Sequence, residues 1–241
     1  MTTTPGATPG APCSGRKQAT PPTTPERWPS TDARILAFPV RSLRGVFAWV
    51  TCPMVLERFS RDLSLAGLTG WTGPVPEVKH ETMLCAEGSP VLMEGSQAVL
   101  EEFEFTRTGE APTVLEWLAG NAAVDDDARG RLAKHLVVLH DDDFTHFVQY
   151  ATEVTARIGL DHVKRTVKDG ALFYQEFLPP ETLMYVLVLA QDSRRPQSGF
   201  SAGEMMAVFR RALPGTLQIG AGETIGKGLC RVRLSGGEDA R

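Results

Sequence analysis

Apolar residues along this chain come in short runs whose period changes, and those changes mark out the elements. Residues 35–40 (ILAFPV) and 46–50 (VFAWV) are nearly continuous apolar runs that read as two strands. Met54, Leu56, Phe59, Leu63 and Leu65 then keep an approximate helical spacing, with Pro53 suited to the first turn and Gly67 to the C-terminal stop. Between 68 and 112, Gly70, Gly73, Pro74, Pro76, Gly88, Pro90 and Gly95 interrupt short β-prone pieces, which predicts an irregular or projecting hairpin outside the core. Residues 115–118 and 129–134 read as helical, and 137–139 as a short buried run. Asp142 or Asp143 reads as the cap of a helix carrying Phe144, Phe147, Val148 and Val154.

The last third has the clearest pattern. Residues 171–178 and 182–190 are β-type runs separated by Pro179, Pro180 and Glu181, so the sequence predicts an antiparallel hairpin. Ser201 and Glu204 have the spacing of a capping box ahead of Met205, Met206, Val208, Phe209 and Leu213. Arg210 and Arg211 fall near the negative end of that helix dipole. Pro214 and Gly215 stop the helix, 217–219 leads into a glycine-rich loop, and 229–234 alternates as a final strand. The order strand, strand, helix, glycine loop, strand matches the second half of a ferredoxin-like βαββαβ unit.

Composition narrows the class. The first 30 residues are rich in Thr, Pro, Gly and Ala and poor in large apolar side chains until Trp28, so a disordered tail is expected there, ahead of one domain over 31–236 with an insertion at about 68–155. With 241 residues, 42% of them hydrophobic, the chain is long enough for one sizeable core. It contains no apolar run of about 18 residues and no signal-peptide pattern, which predicts a cytoplasmic protein with no membrane partner. Cys13, Cys52, Cys85 and Cys230 lack the spacing of a zinc site or a disulfide framework and read as reduced thiols.

The formal charge of −4 argues against indiscriminate coating of nucleic acid, yet the charge is unevenly placed. Residues 101–150 carry 11 acids against four bases, whereas 151–233 carry 11 bases against eight acids. A polyanion site is therefore expected toward the end of the chain, among Arg194, Arg195, Arg210, Arg211, Lys227, Arg231 and Arg233, or near Arg34, Arg41 and Arg44.

The sharpest motif is GAGETIGKG, Gly220 to Gly228. Glycines at this spacing let the backbone take positive φ and present successive N–H groups to phosphate oxygens, although a plain flexible connection also fits. It is no Walker A loop: three residues separate Gly222 from Gly226, Gly228 follows Lys227, and a strand comes next. A second class of reading rests on His135, His140 and His146 near Asp141, Asp142 and Asp143, which are ligand-type residues for a metal-dependent hydrolase. The bland alternative is a helix start, where carboxylates accept from free N–H groups. General acid–base catalysis at the glycine loop is a weaker reading still, because no histidine follows His162.

Four segments carry a resemblance: DARILAFPVRSLRGVFAWVTCPMVL from Asp32, DDDFTHFVQYATEV from Asp141, DGALFYQEFLPPETLMY from Asp169 and IGAGETIGKGL from Ile219. Together they resemble the RAMP-type backbone subunit of the Cmr, or type III-B, CRISPR complex over essentially residues 31–234. The resemblance implies an α/β (α+β) ferredoxin-like fold with an antiparallel sheet and inserted helical and hairpin segments. It also implies copies stacked head-to-tail along a guide RNA (crRNA), together with other Cmr subunits, each copy projecting a hairpin that disturbs pairing with target RNA; the 68–112 span is the candidate for that hairpin. Carried over by position, the RNA-binding residues are Gly220, Gly222, Gly226, Lys227 and Gly228 in the loop and Arg41 and Ser42 after the first strand. A turn in which Arg41 pairs with a local acid and Ser42 caps the turn is the alternative for the last two.

The chain also departs from that pattern. Family members carry a strand and a helix before the segment that starts here near Asp32, and the aspartate tied to divalent-metal-dependent cutting of target RNA belongs to that part. No catalytic residue, metal ligand or bound cofactor is therefore assigned in this chain. A truncated or mis-started version is expected, with two sheet edges exposed where a central strand of the 4-1-3-2 order is lost.

Overall fold

The computed structural model describes residues 30–236 except 95, 124, 161–163 and 193–198, and only the backbone at 160, 168 and 169. The tail up to residue 29, Arg194 and Arg195 thus lie outside the described residues.

Two strands form the centre of the main sheet. Strand β1 (Arg34–Arg41) and strand β2 (Phe47–Thr51) pair antiparallel, from Phe38 opposite Val50 to Arg41 opposite Phe47. Their uninterrupted apolar runs are explained by burial on both faces: Phe38, Ala48 and Val50 have no exposed surface. Helix α1 (Pro53–Leu65) packs Val55, Leu56, Phe59 and Leu63 inward along one stripe. It ends at Ala66, with Gly67 at φ +70° just beyond.

The 68–112 span does not project from the core. It supplies β3 (Thr82–Cys85), β4 (Gln97–Leu100) and β5 (Phe103–Gly109), and Met83, Cys85, Ala98, Leu100 and Phe105 are all buried. Strands of four to seven residues between glycines and prolines are too short for local periodicity to reveal which sheet they join. After helices α2 (Pro112–Ala122) and α3 (Asp126–His135), strand β6 (Leu136–Val138) lies fully buried beside β2. The order is β4-β5-β3-β6-β2-β1 and then β9 (Leu183–Tyr185), with β2–β6 and β3–β5 parallel and the other ladders antiparallel. The far side of β2, expected as an open edge, is thereby paired by β6.

Helix α4 (Asp141–Tyr150) buries Phe144 and Phe147. Val154, predicted on this helix, falls instead on β7 (Glu153–Leu160), which pairs antiparallel with β8 (Val167–Phe177) in a separate two-stranded sheet. The hairpin predicted across Pro179 and Pro180 is therefore not formed: β8 turns back on β7, and β9 crosses to the edge of β1. Prolines lack the N–H groups that a tight turn would use, so they separate these runs and do not close them together.

Helix α5 (Ala202–Ala212) begins as predicted. The Ser201 hydroxyl accepts from Glu204 N–H at 3.3 Å, and Ser201 N–H donates to the Glu204 carboxylate at 2.9 Å. Strands β10 (Thr216–Gln218) and β11 (Leu229–Arg231) then pair antiparallel around the glycine loop. No described helix is long and apolar enough to cross a membrane.

Candidate nucleic-acid interface

Gly220, Gly222, Gly226 and Gly228 have φ of +81°, +89°, +73° and +77°, the left-handed region that glycine enters without cost. Residues 223–225 make a single 3₁₀ turn between them, closed by Ile225 N–H to Gly222 O (3.0 Å) and Gly226 N–H to Glu223 O (3.0 Å). Two further bonds fix the ends of the loop: Ile219 N–H to Gly228 O (2.8 Å) and Lys227 N–H to Gly222 O (3.1 Å). The amides of Gly220 and Ala221 take part in none of these and sit at an exposed rim. A Cβ at Gly228 would stand 2.2 Å from the carbonyl oxygen of Ile219, so the glycine is required sterically as well as conformationally.

Lys227 is not a free cation at the edge of this loop. Its Nζ lies 2.5 Å from Glu153 Oε2 and 4.8 Å from the ring centroid of Phe177. Glu153 and Phe177 are paired across the β7–β8 ladder, so one lysine fastens the glycine loop to the root of the hairpin. Arg157 lies 5.8 Å from the same ring and adds a second cation there.

Arg41 is also paired. Its Nε and Nη2 donate to the two carboxylate oxygens of Glu101 at 3.0 and 2.8 Å, while the guanidinium side chain stays 85% exposed. These hydrogen bonds, and then the charge of Glu101, raise the guanidinium pKa above its ordinary value. Ser42 serves the turn: its N–H donates to Val46 O at 3.0 Å and its hydroxyl to Val99 O at 3.4 Å. Ser42 thus serves a local turn, while the acid that pairs with Arg41 is not a local one but Glu101, 60 residues away.

Arg41 and Glu153, the partner of Lys227, line one cavity of about 480 Å³ together with Glu101, Phe103, His146 and Tyr150. Arg41 therefore faces the same cavity as the counter-ion of Lys227, whereas Lys227 itself, Ser42 and the glycines are not among its walls. The aromatic wall and both counter-ions escaped sequence reading. The only signal for the wall was the four-residue spacing of His146 and Tyr150, whose rings stand 4.8 Å apart.

The histidine reading fares differently. His135 Nδ1 lies 2.9 Å from Phe47 O, beside the β2 aromatics, and His146 sits among Phe103, Phe147 and Tyr150, so the two do not converge with His140. The capping reading is also corrected. His140 occupies the N-cap of α4 and its Nδ1 accepts from Asp142 N–H at 3.2 Å, while Asp141 accepts from Met54 N–H at 2.9 Å and so satisfies the start of α1. No set of metal-type side chains surrounds the glycine loop among the described residues; those that do converge are His80, His140 and Asp142.

The RAMP superfamily model matches residues 31–231, and the chain belongs to that superfamily. A Pyrococcus furiosus protein, the CRISPR system Cmr endoribonuclease Cmr4, is 35% identical over 205 residues, covering 84% of this chain and 67% of the relative. Among solved structures, oligomeric Cmr4 from Pyrococcus furiosus superposes with a TM-score of 0.66 at 31% identity, over 84% of this chain and 70% of that one. A chain of the type III-B Cmr-beta complex bound to cognate target RNA has the same fold, with a TM-score of 0.63 at 20% identity over 88% and 72% of the two chains.

Proposed function

We propose that this chain is a backbone subunit of a type III-B CRISPR complex that grips the sugar-phosphate backbone of a guide RNA, with neighbouring copies and other Cmr subunits as partners. The observation that carries the reading is the exposed glycine loop, its four glycines all at positive φ and its lysine fastened to the root of a two-stranded hairpin. Backbone amides and a lysine on such a loop suit phosphate oxygens and carry no base preference. The Arg41 guanidinium offers a second, bidentate phosphate ligand across the cavity once Glu101 is displaced. The Arg41 side chain is open to solvent while that of Glu101 is only 16% exposed, so a phosphate would approach the guanidinium from its solvent side, and releasing Glu101 leaves a largely buried carboxylate without its partner. The hairpin that disturbs target pairing is assigned to β7–β8, since the strands of the 68–112 span, β3, β4 and β5, belong to the main sheet.

Family membership and the fold favour this reading over hydrolysis. Among the described residues, the divalent ion that the resemblance ties to target cleavage finds no fitting ligand set near the loop, and no chemical step is derived through it. The test is to co-express the chain with its neighbouring Cmr subunits and measure guide affinity against salt for wild type, Lys227→Ala and Arg41→Ala. Each lost phosphate contact should lower the magnitude of the salt slope by about 0.7 and weaken binding uniformly across sequences. Unchanged affinity and slope in both variants would overturn the assignment.

A further inference from the structure

The start of α4 holds a group of side chains that gripping RNA does not use. His80, on the segment leading into β3, meets His140 and Asp142, and the three offer ligand atoms all within 4.8 Å of one another. His80 Nε2 lies 3.2 Å and His140 Nδ1 3.7 Å from Asp142 Oδ2; the Nδ1 lone pair now accepts from Asp142 N–H, so an ion bound there takes the place of that cap hydrogen bond. Donors around a tetrahedral zinc ion with bonds of about 2.0 Å stand roughly 3.3 Å apart, so the two contacts to Asp142 are near the edges of such a polyhedron, and the third pair, within 4.8 Å, has to close onto the ion.

The surroundings supply what a metal-bound imidazole needs. His80 Nδ1 faces Asp143 Oδ1 at 3.4 Å, the carboxylate–histidine arrangement that fixes the ring tautomer and leaves Nε2 aimed at Asp142. The other oxygen of Asp143 is buried without a hydrogen-bond partner. A helix N-terminus by itself repels a cation, but Asp141, Asp142 and Asp143 in the first turn oppose that field.

We propose that His80, His140 and Asp142 form a site for a divalent transition ion of the zinc class, with water in the fourth position and Asp143 orienting His80. Two nitrogen ligands and one carboxylate select this class over magnesium or calcium, which take oxygen ligands. The site stands whether or not the chain grips RNA. Its role is that of a clip, joining the segment ahead of β3 to the helix whose far end carries His146 and Tyr150 into the cavity.

The test uses the full chain stripped of metal by a chelator. Zinc titration calorimetry should show one saturable equivalent, and cobalt(II) should give a visible d–d band with no sulfur-to-cobalt charge-transfer band. Zinc should also raise the melting temperature. His80→Gln and Asp142→Asn should each weaken zinc binding at least tenfold and abolish the thermal shift, whereas His146→Gln should retain both. The absence of saturable binding, equal affinity in His80→Gln and Asp142→Asn, or a thiolate band placing the ion on a cysteine would each overturn the proposal.

Discussion

At the scale of single residues, the glycine loop separates two uses of the same amino acid. Gly226 and Gly228 have nearly equal φ, yet a Cβ meets nothing within 4 Å at Gly226 and a backbone carbonyl at 2.2 Å at Gly228. Gly226→Ala should therefore cost only the left-handed strain, about 1–2 kcal/mol. Gly228→Ala should cost clearly more and loosen the β10–β11 ladder, because neither backbone can move without breaking the Ile219–Gly228 hydrogen bond. Equal unfolding free energies for the two variants in urea would contradict this. The loop was legible in the sequence because positive φ is a local demand that glycine advertises. Its counter-ion was not, since Glu153 lies 74 residues from Lys227. Glu153→Gln should leave stability almost unchanged while tightening RNA binding a few-fold, the opposite sign from Lys227→Ala; equal or weaker binding would show that the carboxylate does not compete with phosphate.

Whole elements are held by contacts that join distant segments, and these limit what a local pattern can foretell. The capping box of α5 and the stripe of α1 were legible because both lie within a few turns of sequence. The partner strand of β8 was not, because alternation at Val154, Ala156 and Ile158 is a weak signal beside a helix that ends at Tyr150. Asp62 shows the same limit: a buried carboxylate on α1, it accepts from Arg34 of β1 at 2.8 Å and from the Tyr185 hydroxyl of β9 at 2.7 Å. Burial, and then the Asp62 carboxylate, push the Tyr185 hydroxyl pKa up. Tyr185→Phe should cost about 1 kcal/mol, and Asp62→Ala more, since it strands two donors at once. A double-mutant cycle with no coupling between them would refute the shared network. Asp125 gives an element-scale dependence on pH. The Ala128 N–H, and then Arg231, hold its pKa below the ordinary 3.8. Its contribution is fully present above about 3.8 and is lost as pH falls through the lower folded value. Asp125→Asn keeps the cap but not the charge, so its melting temperature should fall below wild type near neutrality and converge with it in stronger acid.

On the scale of the whole molecule, acidic and basic regions are brought together and not kept apart. Asp125 from the acidic stretch and Arg231 from the basic end pair at 2.7 Å, so the charge split along the sequence marks the two ends of an ion pair and not only a basic face. Beyond the cavity region stands the β7–β8 hairpin, whose ladder places Val154, Ala156, Ile158, Leu172, Tyr174 and, at its root, Glu176 on one face and Thr155, Arg157, Phe173 and Gln175 on the other. On the first face Val154, Ile158, Leu172 and Tyr174 are 52–68% exposed. A two-stranded ribbon gains nothing from apolar side chains held in water, whereas an apolar edge inserted between base steps unstacks them. In an assembled complex, Ile158→Ser combined with Leu172→Ser should leave guide affinity and its salt slope within about twofold of wild type, because neither residue offers charge to phosphate. The same variant should abolish the periodic unstacking of the target strand, read as a loss of the fluorescence maxima of 2-aminopurine placed at successive target positions. Maxima that persist at the same intervals would remove β7–β8 as the element that disturbs pairing, and would leave the glycine loop and Arg41 as an RNA grip without a wedge.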